Sequence, residues 1–159
     1  MGLNVVLYQP EIPANTGNIA RTCAAINATL HLIRPLGFST DDKRLKRAGL
    51  DYWQYVSVKY YDSLDECFEQ NVGGEFFYLT KFGEHSYTDF DYSDRNKEYF
   101  FVCGRETTGL PDELKRANRE RCLRIPMGEH DHVQSLNLSN AVAIMVYEAL
   151  KHQGYPQLS

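Results

Sequence analysis

The chain has 159 residues, a hydrophobic fraction of 43%, a charged fraction of 24% and a formal net charge of −4. That length suits one domain with a core of its own, and the negative balance excludes a protein that coats nucleic acid indiscriminately, though not one with a local basic patch. No apolar run reaches membrane-spanning length, the N-terminus lacks a signal-peptide profile, and four scattered cysteines without a C-x-x-C spacing read as small buried hydrophobes in a reducing cytosol.

Leu3 to Tyr8 is a short apolar run of the kind that forms a strand buried on both faces, and Gln9-Pro10 stops it. Asn15 or Thr16 can cap a helix whose apolar side is Ile19, Ala20, Cys23 and Ala24, and Arg21 falls within its first two turns. A helix start at the carboxyl end of a strand favours anions. Leu30 to Ile33 reads as a second strand, with His31 as a hydrogen-bonded structural side chain. Asp41 to Gly49 carries the basic cluster Lys43, Arg44, Lys46 and Arg47. Acids first, bases later and Gly49 as C-cap describe a short solvated helix. Four cations in five residues also give a local potential suited to phosphates. Tyr52, Trp53 and Tyr55 follow, and aromatics there suit a core, a subunit interface or nucleic-acid bases.

Val56 to Tyr60 is the next strand, and Ser63 to Glu66 has capping-box spacing ahead of a helix. Phe76 to Thr80 is a buried strand, and Lys81 to Asn96 reads as polar surface loop. Tyr99 to Val102 is a strand that empties into a polar turn, Gly104 to Pro111, in which two glycines bracket Arg105 and Glu106. Glycine there allows a positive φ or a close approach of backbone to a ligand, and open α/β sheets place ligands at such strand ends. An ordinary strand-to-helix connection has the same pattern. Neither G-x-G-x-x-G nor G-K-[ST] is present. Cys122 to Ile125 is the last strand, and His130-Asp131-His132 makes a poor zinc site for want of a third ligand. Ala141 to Tyr147 has no charge, which predicts a helix apolar all round and covered by a subunit interface. About six strands alternating with helices indicate an α/β fold, a mostly parallel sheet with helices on both faces, in a single domain over 1–159.

Three segments stand together: Asn15-x-Gly17-x-x-x-Arg21, Gly104-x-Glu106-x-x-Gly109-Leu110, and Ile125-Pro126-Met127 followed by Ser135-Leu136-Asn137-Leu138-Ser139-Asn140-Ala141. Their order and spacing resemble the three motifs of the SPOUT superfamily of knotted RNA methyltransferases. The stretches Pro10 to Ile19, Asp41 to Leu45 and Arg47 to Tyr52 look like one branch, the compact bacterial tRNA 2′-O-methyltransferases acting on cytidine or uridine at the anticodon wobble nucleotide.

The resemblance implies a C-terminal deep trefoil knot, S-adenosyl-L-methionine in a pocket involving Leu79, Gly104, Ile125 and Ser135, and a homodimer whose active sites are completed by the neighbouring subunit. Arg21 is then the central catalytic residue, as base or as electrostatic clamp, because a guanidinium gives up its proton with difficulty. Asn15 would hold the first motif's turn, Glu106 would fix its loop or a neighbouring arginine, and Ser139 and Asn140 would cap the last helix beside the cofactor. Lys43, Arg44, Lys46 and Arg47 are the expected tRNA contacts, with no metal, no membrane and no separate RNA-binding domain. Departures from the pattern are the long acidic stretch Gly128 to Gln134 and an arginine, Arg105, where proline is expected. Methylation of another tRNA position or of rRNA, and a non-enzymatic RNA-binding protein on the same fold, remain the competing readings.

Overall fold

The computed structural model describes residues 2–129 and 135–159, with the backbone alone for Lys46 and residues 48–51. Short apolar runs become the strands β1 (Gly2–Tyr8), β2 (Thr29–Ile33), β3 (Ser57–Tyr61), β4 (Glu75–Leu79), β5 (His85–Ser86), β6 (Glu98–Cys103) and β7 (Cys122–Arg124). They form one sheet in the order β3-β2-β1-β6-β4-β7-β5, and every pairing is parallel. Between them run the helices α1 (Pro13–Ile26), α2 (Lys43–Trp53), α3 (Leu64–Gln70), α4 (Asp112–Ala117) and α5 (Leu138–His152).

Alternate residues of each strand face opposite layers, so the continuous apolar runs supply two cores. Leu3, Val5 and Leu7 of β1 join Phe101 and Cys103 of β6 under α1 and α5. Val6 of β1 joins Phe100 and Val102 of β6 under Leu64 and Cys67 of α3 and Leu114 of α4. The four cysteines are buried free thiols, and burial pushes those of Cys23 and Cys103 up to about 12.

Four sequence expectations change. The sheet has seven strands rather than about six and is all parallel, because β5 is a two-residue strand, too short to carry a periodic signal, inside the stretch read as loop. The α1 helix starts at Pro13, a good first-turn residue, so Asn15 and Thr16 lie inside it, buried, and neither caps it. The α2 helix begins on Asp42, one of the acids expected at its start, which caps it by accepting from the Arg44 N–H at 2.8 Å. It then continues through Gly49 to Trp53, so that Gln54 is the C-cap. Packing along α1, with Leu45 buried, offsets the roughly 1 kcal/mol that an internal glycine costs.

His31 is structural, as expected. It is 1% exposed, with Nδ1 2.9 Å from the Tyr61 hydroxyl and Nε2 2.9 Å from Asn4 Oδ1. Asn71 Nδ2 donates to the Tyr61 oxygen at 3.2 Å, so the Tyr61 O–H is free to donate to Nδ1 while Nε2–H donates to Asn4. This network fits a neutral ring. Burial, with a smaller push from Lys59, lowers the His31 pKa from 6.5 to about 4. The unfolded chain therefore binds a proton that the folded one refuses, and stability held above pH 6.5 drains as pH falls towards about 4. Urea titrations across that window should show the wild type losing about 1.4 kcal/mol per pH unit more than His31→Gln. Equal slopes would refute the assignment.

A candidate active-site cleft over β6, β4 and β7

The loop after β6 folds back on itself. Arg105 and Gly109 exchange backbone hydrogen bonds, N–H to O at 3.2 Å and 2.8 Å, and Gly109 takes φ +72. A Cβ on Gly104 would stand 2.2 Å from the Gly109 carbonyl carbon. The loop's own closure thus already requires glycine at this position, where the sequence suggested a close approach of backbone to a ligand.

Glu106, at the tip, reaches across to the loop after β1. Its carboxylate accepts the Glu11 and Ile12 backbone N–H groups, each at 2.8 Å, and Asn15 Nδ2 at 3.3 Å. Glu11 answers in the other direction, accepting Thr107 N–H at 3.0 Å, Thr107 Oγ1 at 2.8 Å and Arg105 at 3.3 Å. The Thr107 hydrogen bonds, then Arg105, hold the Glu11 carboxyl below its usual pKa. Asn15 passes the connection on, its Oδ1 accepting from Asn137 Nδ2 at 3.0 Å. Asn137 Oδ1 in turn accepts the Ser139 and Asn140 N–H groups, at 2.9 Å and 3.3 Å, and the Ser139 hydroxyl at 2.6 Å. So Asn137 is the cap of α5, and Ser139 and Asn140 are the capped residues, not the caps they were expected to be.

Together these segments wall a cleft of about 470 Å³ over the carboxyl ends of β6, β4 and β7. All four expected pocket residues, Leu79, Gly104, Ile125 and Ser135, line it, as do Asn15 and Glu106. Its size is ordinary for a small-molecule site, and Leu110, Ile125, Met127 and Leu138 make the walls largely apolar. Arg105 also lines it, with a buried Nε that has no hydrogen-bond partner.

Arg21 is not among the lining residues. It stands exposed on α1, its guanidinium carbon 4.9 Å from the centre of the Tyr52 ring. Lys43, Arg44 and Arg47 are exposed on α2, with Arg44 paired to its own cap Asp42 at 3.1 Å. The side chain of Lys46 and the segment His130-Asp131-His132 fall outside the described residues.

Sequence reasoning missed Glu11, Asn137, Lys81 and Phe82. Asn137 was findable, since an Asn directly before a helical apolar run is a cap signal. Glu11 was not, because its partners Arg105 and Thr107 lie more than ninety positions away. Lys81 and Phe82 line the cleft mouth from the loop after β4, and Phe82 is 79% exposed. A lone aromatic before a glycine carries no specific signal.

Comparison with known proteins agrees with this architecture. Residues 2–147 match the model of the SpoU rRNA Methylase family. A tRNA (cytidine(34)-2′-O)-methyltransferase of Escherichia coli strain K12 is 44% identical over 155 residues, 97% of this chain and 96% of that one. A crystal structure from Bacillus anthracis superposes with a TM-score of 0.92 at 66% identity, covering 99% of this chain and 98% of that one. Another, described as giving structural insights into the 2-OH methylation of C/U34 on tRNA, superposes with a TM-score of 0.87 at 42% identity, covering 96% of each chain. The chain belongs to the SpoU rRNA methylase family, within the SPOUT methyltransferases.

Proposed function

We propose that the protein methylates the ribose 2′-hydroxyl of the wobble nucleotide of tRNA, cytidine or modified uridine, with S-adenosyl-L-methionine as donor. The observation that carries this reading is the cleft over β6, β4 and β7, walled by the residues that match the superfamily's second and third motifs. The names of the relatives support the substrate.

The cleft fits the donor. Apolar walls suit its purine and the carbon chains about its sulfur, and the unpartnered Arg105 Nε offers a donor to its carboxylate. Leu79, Gly104, Ile125 and Ser135 would hold it. When bound, it supplies an electrophilic methyl group on a sulfonium sulfur. The chain's own part is to align the hydroxyl and to manage its proton and developing charge. Alignment alone is worth roughly 7–11 kcal/mol. We assign Arg21 the charge: its guanidinium would hold the ribose oxygen or a flanking phosphate. Glu106 and Asn15 act at one remove, fixing the loops that wall the cleft, and Ser139 and Asn140 do so through the Asn137 cap.

Two features support a homodimer. Arg21 lies outside its own chain's cleft, and the charge-free part of α5 buries Val142, Met145 and Val146 but leaves Ile144 38% and Tyr147 47% exposed. A second copy would cover that face and bring Arg21 to the neighbouring cleft. The trefoil knot of the C-terminal segments and cytosolic residence complete the reading.

Incubation with labelled donor and total tRNA, followed by nucleoside mapping, should place the methyl group on the ribose of nucleotide 34, and Arg21→Ala should cut the rate about 10²–10³-fold. Label in rRNA or at another tRNA position, or none, would reject the assignment. Glu106→Gln keeps one accepting oxygen but sets its amide N–H₂ against the other of the two backbone N–H donors. It should lower unfolding free energy by about 1–3 kcal/mol and weaken donor binding in calorimetry, and an unchanged melting midpoint would refute the bridging role. Sedimentation should give twice the 18.3 kDa chain mass. Neutralising Lys43, Arg44, Lys46 and Arg47 together should keep that mass while reducing the slope of log affinity against log salt by about two to three. A slope that stays put would remove α2 from the tRNA interface.

A further inference from the structure

Arg21 has an unusual setting for a residue assigned to the chemistry. Among the described residues its guanidinium forms no ion pair and no side-chain hydrogen bond, and its contact is the face of Tyr52 at 4.9 Å. Tyr52 lies in the last turn of α2, half-exposed at 38%, on the helix that packs along α1. A carboxylate at that place would neutralise the guanidinium and occupy its donors. An aromatic ring attracts the cation through its quadrupole, takes up no acceptor and leaves the charge uncompensated. Such a support restricts a long, flexible side chain while its hydrogen-bonding capacity remains available.

We propose that Tyr52 is a positioning residue for Arg21, holding the guanidinium where it meets the RNA ribose and phosphate. This rests on the reading of Arg21 as catalytic given above. It also ties two functions to one helix. The basic residues Lys43, Arg44 and Arg47 sit in the same helix as Tyr52, so RNA docking on α2 and placement of Arg21 are mechanically joined. The ring is the part that matters; the hydroxyl is not. No hydrogen bond of the Tyr52 hydroxyl forms among the described residues.

The test is single-turnover methyl transfer to tRNA by wild type, Tyr52→Leu, Tyr52→Phe, Arg21→Ala and the double variant Tyr52→Leu/Arg21→Ala, with melting midpoints and donor affinity measured alongside. Tyr52→Leu should slow transfer at saturating tRNA roughly tenfold while KM for tRNA and donor affinity change less than about twofold. Tyr52→Phe should restore the wild-type rate, and the double variant should be no slower than Arg21→Ala alone, as for residues that act as a unit. If Arg21→Ala is slow but Tyr52→Leu matches wild type, the positioning role is overturned and the catalytic assignment stands. Additive losses in the double variant, or a loss that Tyr52→Phe fails to rescue, also overturn it. If Arg21→Ala itself transfers normally, the catalytic reading falls and takes the support role with it. Should Tyr52→Leu melt early, Tyr52→Met keeps the comparison, since it preserves apolar bulk without a ring.

Discussion

The exchange of carboxylates between the loops after β1 and β6 is the constraint on which the site depends. Those strands are neighbours, and the chain leaves them in opposite directions: β1 leads through α1 to β2, and β6 through α4 towards β7. In open parallel sheets this switch point is the usual ligand crevice. Here Glu106 and Glu11 bridge it, each accepting donors from the other's loop. Hydrogen bonds to a charged group are stronger than those between neutral groups, and several of them make the crossing. Ile12, the N-cap of α1, has no side-chain oxygen to cap the first turn, and Glu106, 94 residues away, instead holds the backbone N–H of Ile12 itself. With that crevice bridged, the cavity lies one step along the sheet, over β6, β4 and β7.

The bridge continues into the third motif. Asn15 sits between Glu106 and Asn137, and Asn137 caps α5. One chain of polar contacts therefore joins the three sequence motifs, fixing the start of α1, the tip of the β6 loop and the entry to α5 relative to one another. Asn15 and Asn137 are short side chains with few rotamers to lose on ordering, which suits a framework that has to hold its shape without a ligand.

Much of this was legible because it is local. Leu3 to Tyr8 and Tyr99 to Val102 carry continuous apolar runs, and a parallel strand buried on both faces requires them. Glu106 stood out as a lone carboxylate between glycines, and the resemblance to the SPOUT motifs gave it the part of loop organiser. What was illegible depends on partners distant in sequence. The role of Glu11 exists only once β1 and β6 are paired. The need for glycine at 104 comes from the Gly109 backbone, which only the folded loop brings near. Gly49 looked like a helix end because propensity is local, while Leu45 buried against the body of the domain decides where α2 runs.

Arg21 and α5 pose the same problem from two sides. Both α1 and α5 pack on one face of the sheet and against each other, so the exposed Arg21 and the exposed Ile144 and Tyr147 belong to one outer layer. A single chain leaves that layer with uncovered apolar residues and with a cation that forms no ion pair among the described residues, neither of which improves its stability. Covering the apolar part with a second copy accounts for both. In the proposed dimer the interface would bury what α5 leaves bare, and the cation, held on an aromatic ring instead of an acid, would keep its charge for a substrate at the neighbouring cleft. On that reading an acidic residue in place of Tyr52 would be the damaging choice, because an ion pair within one chain would satisfy Arg21 before any RNA arrived.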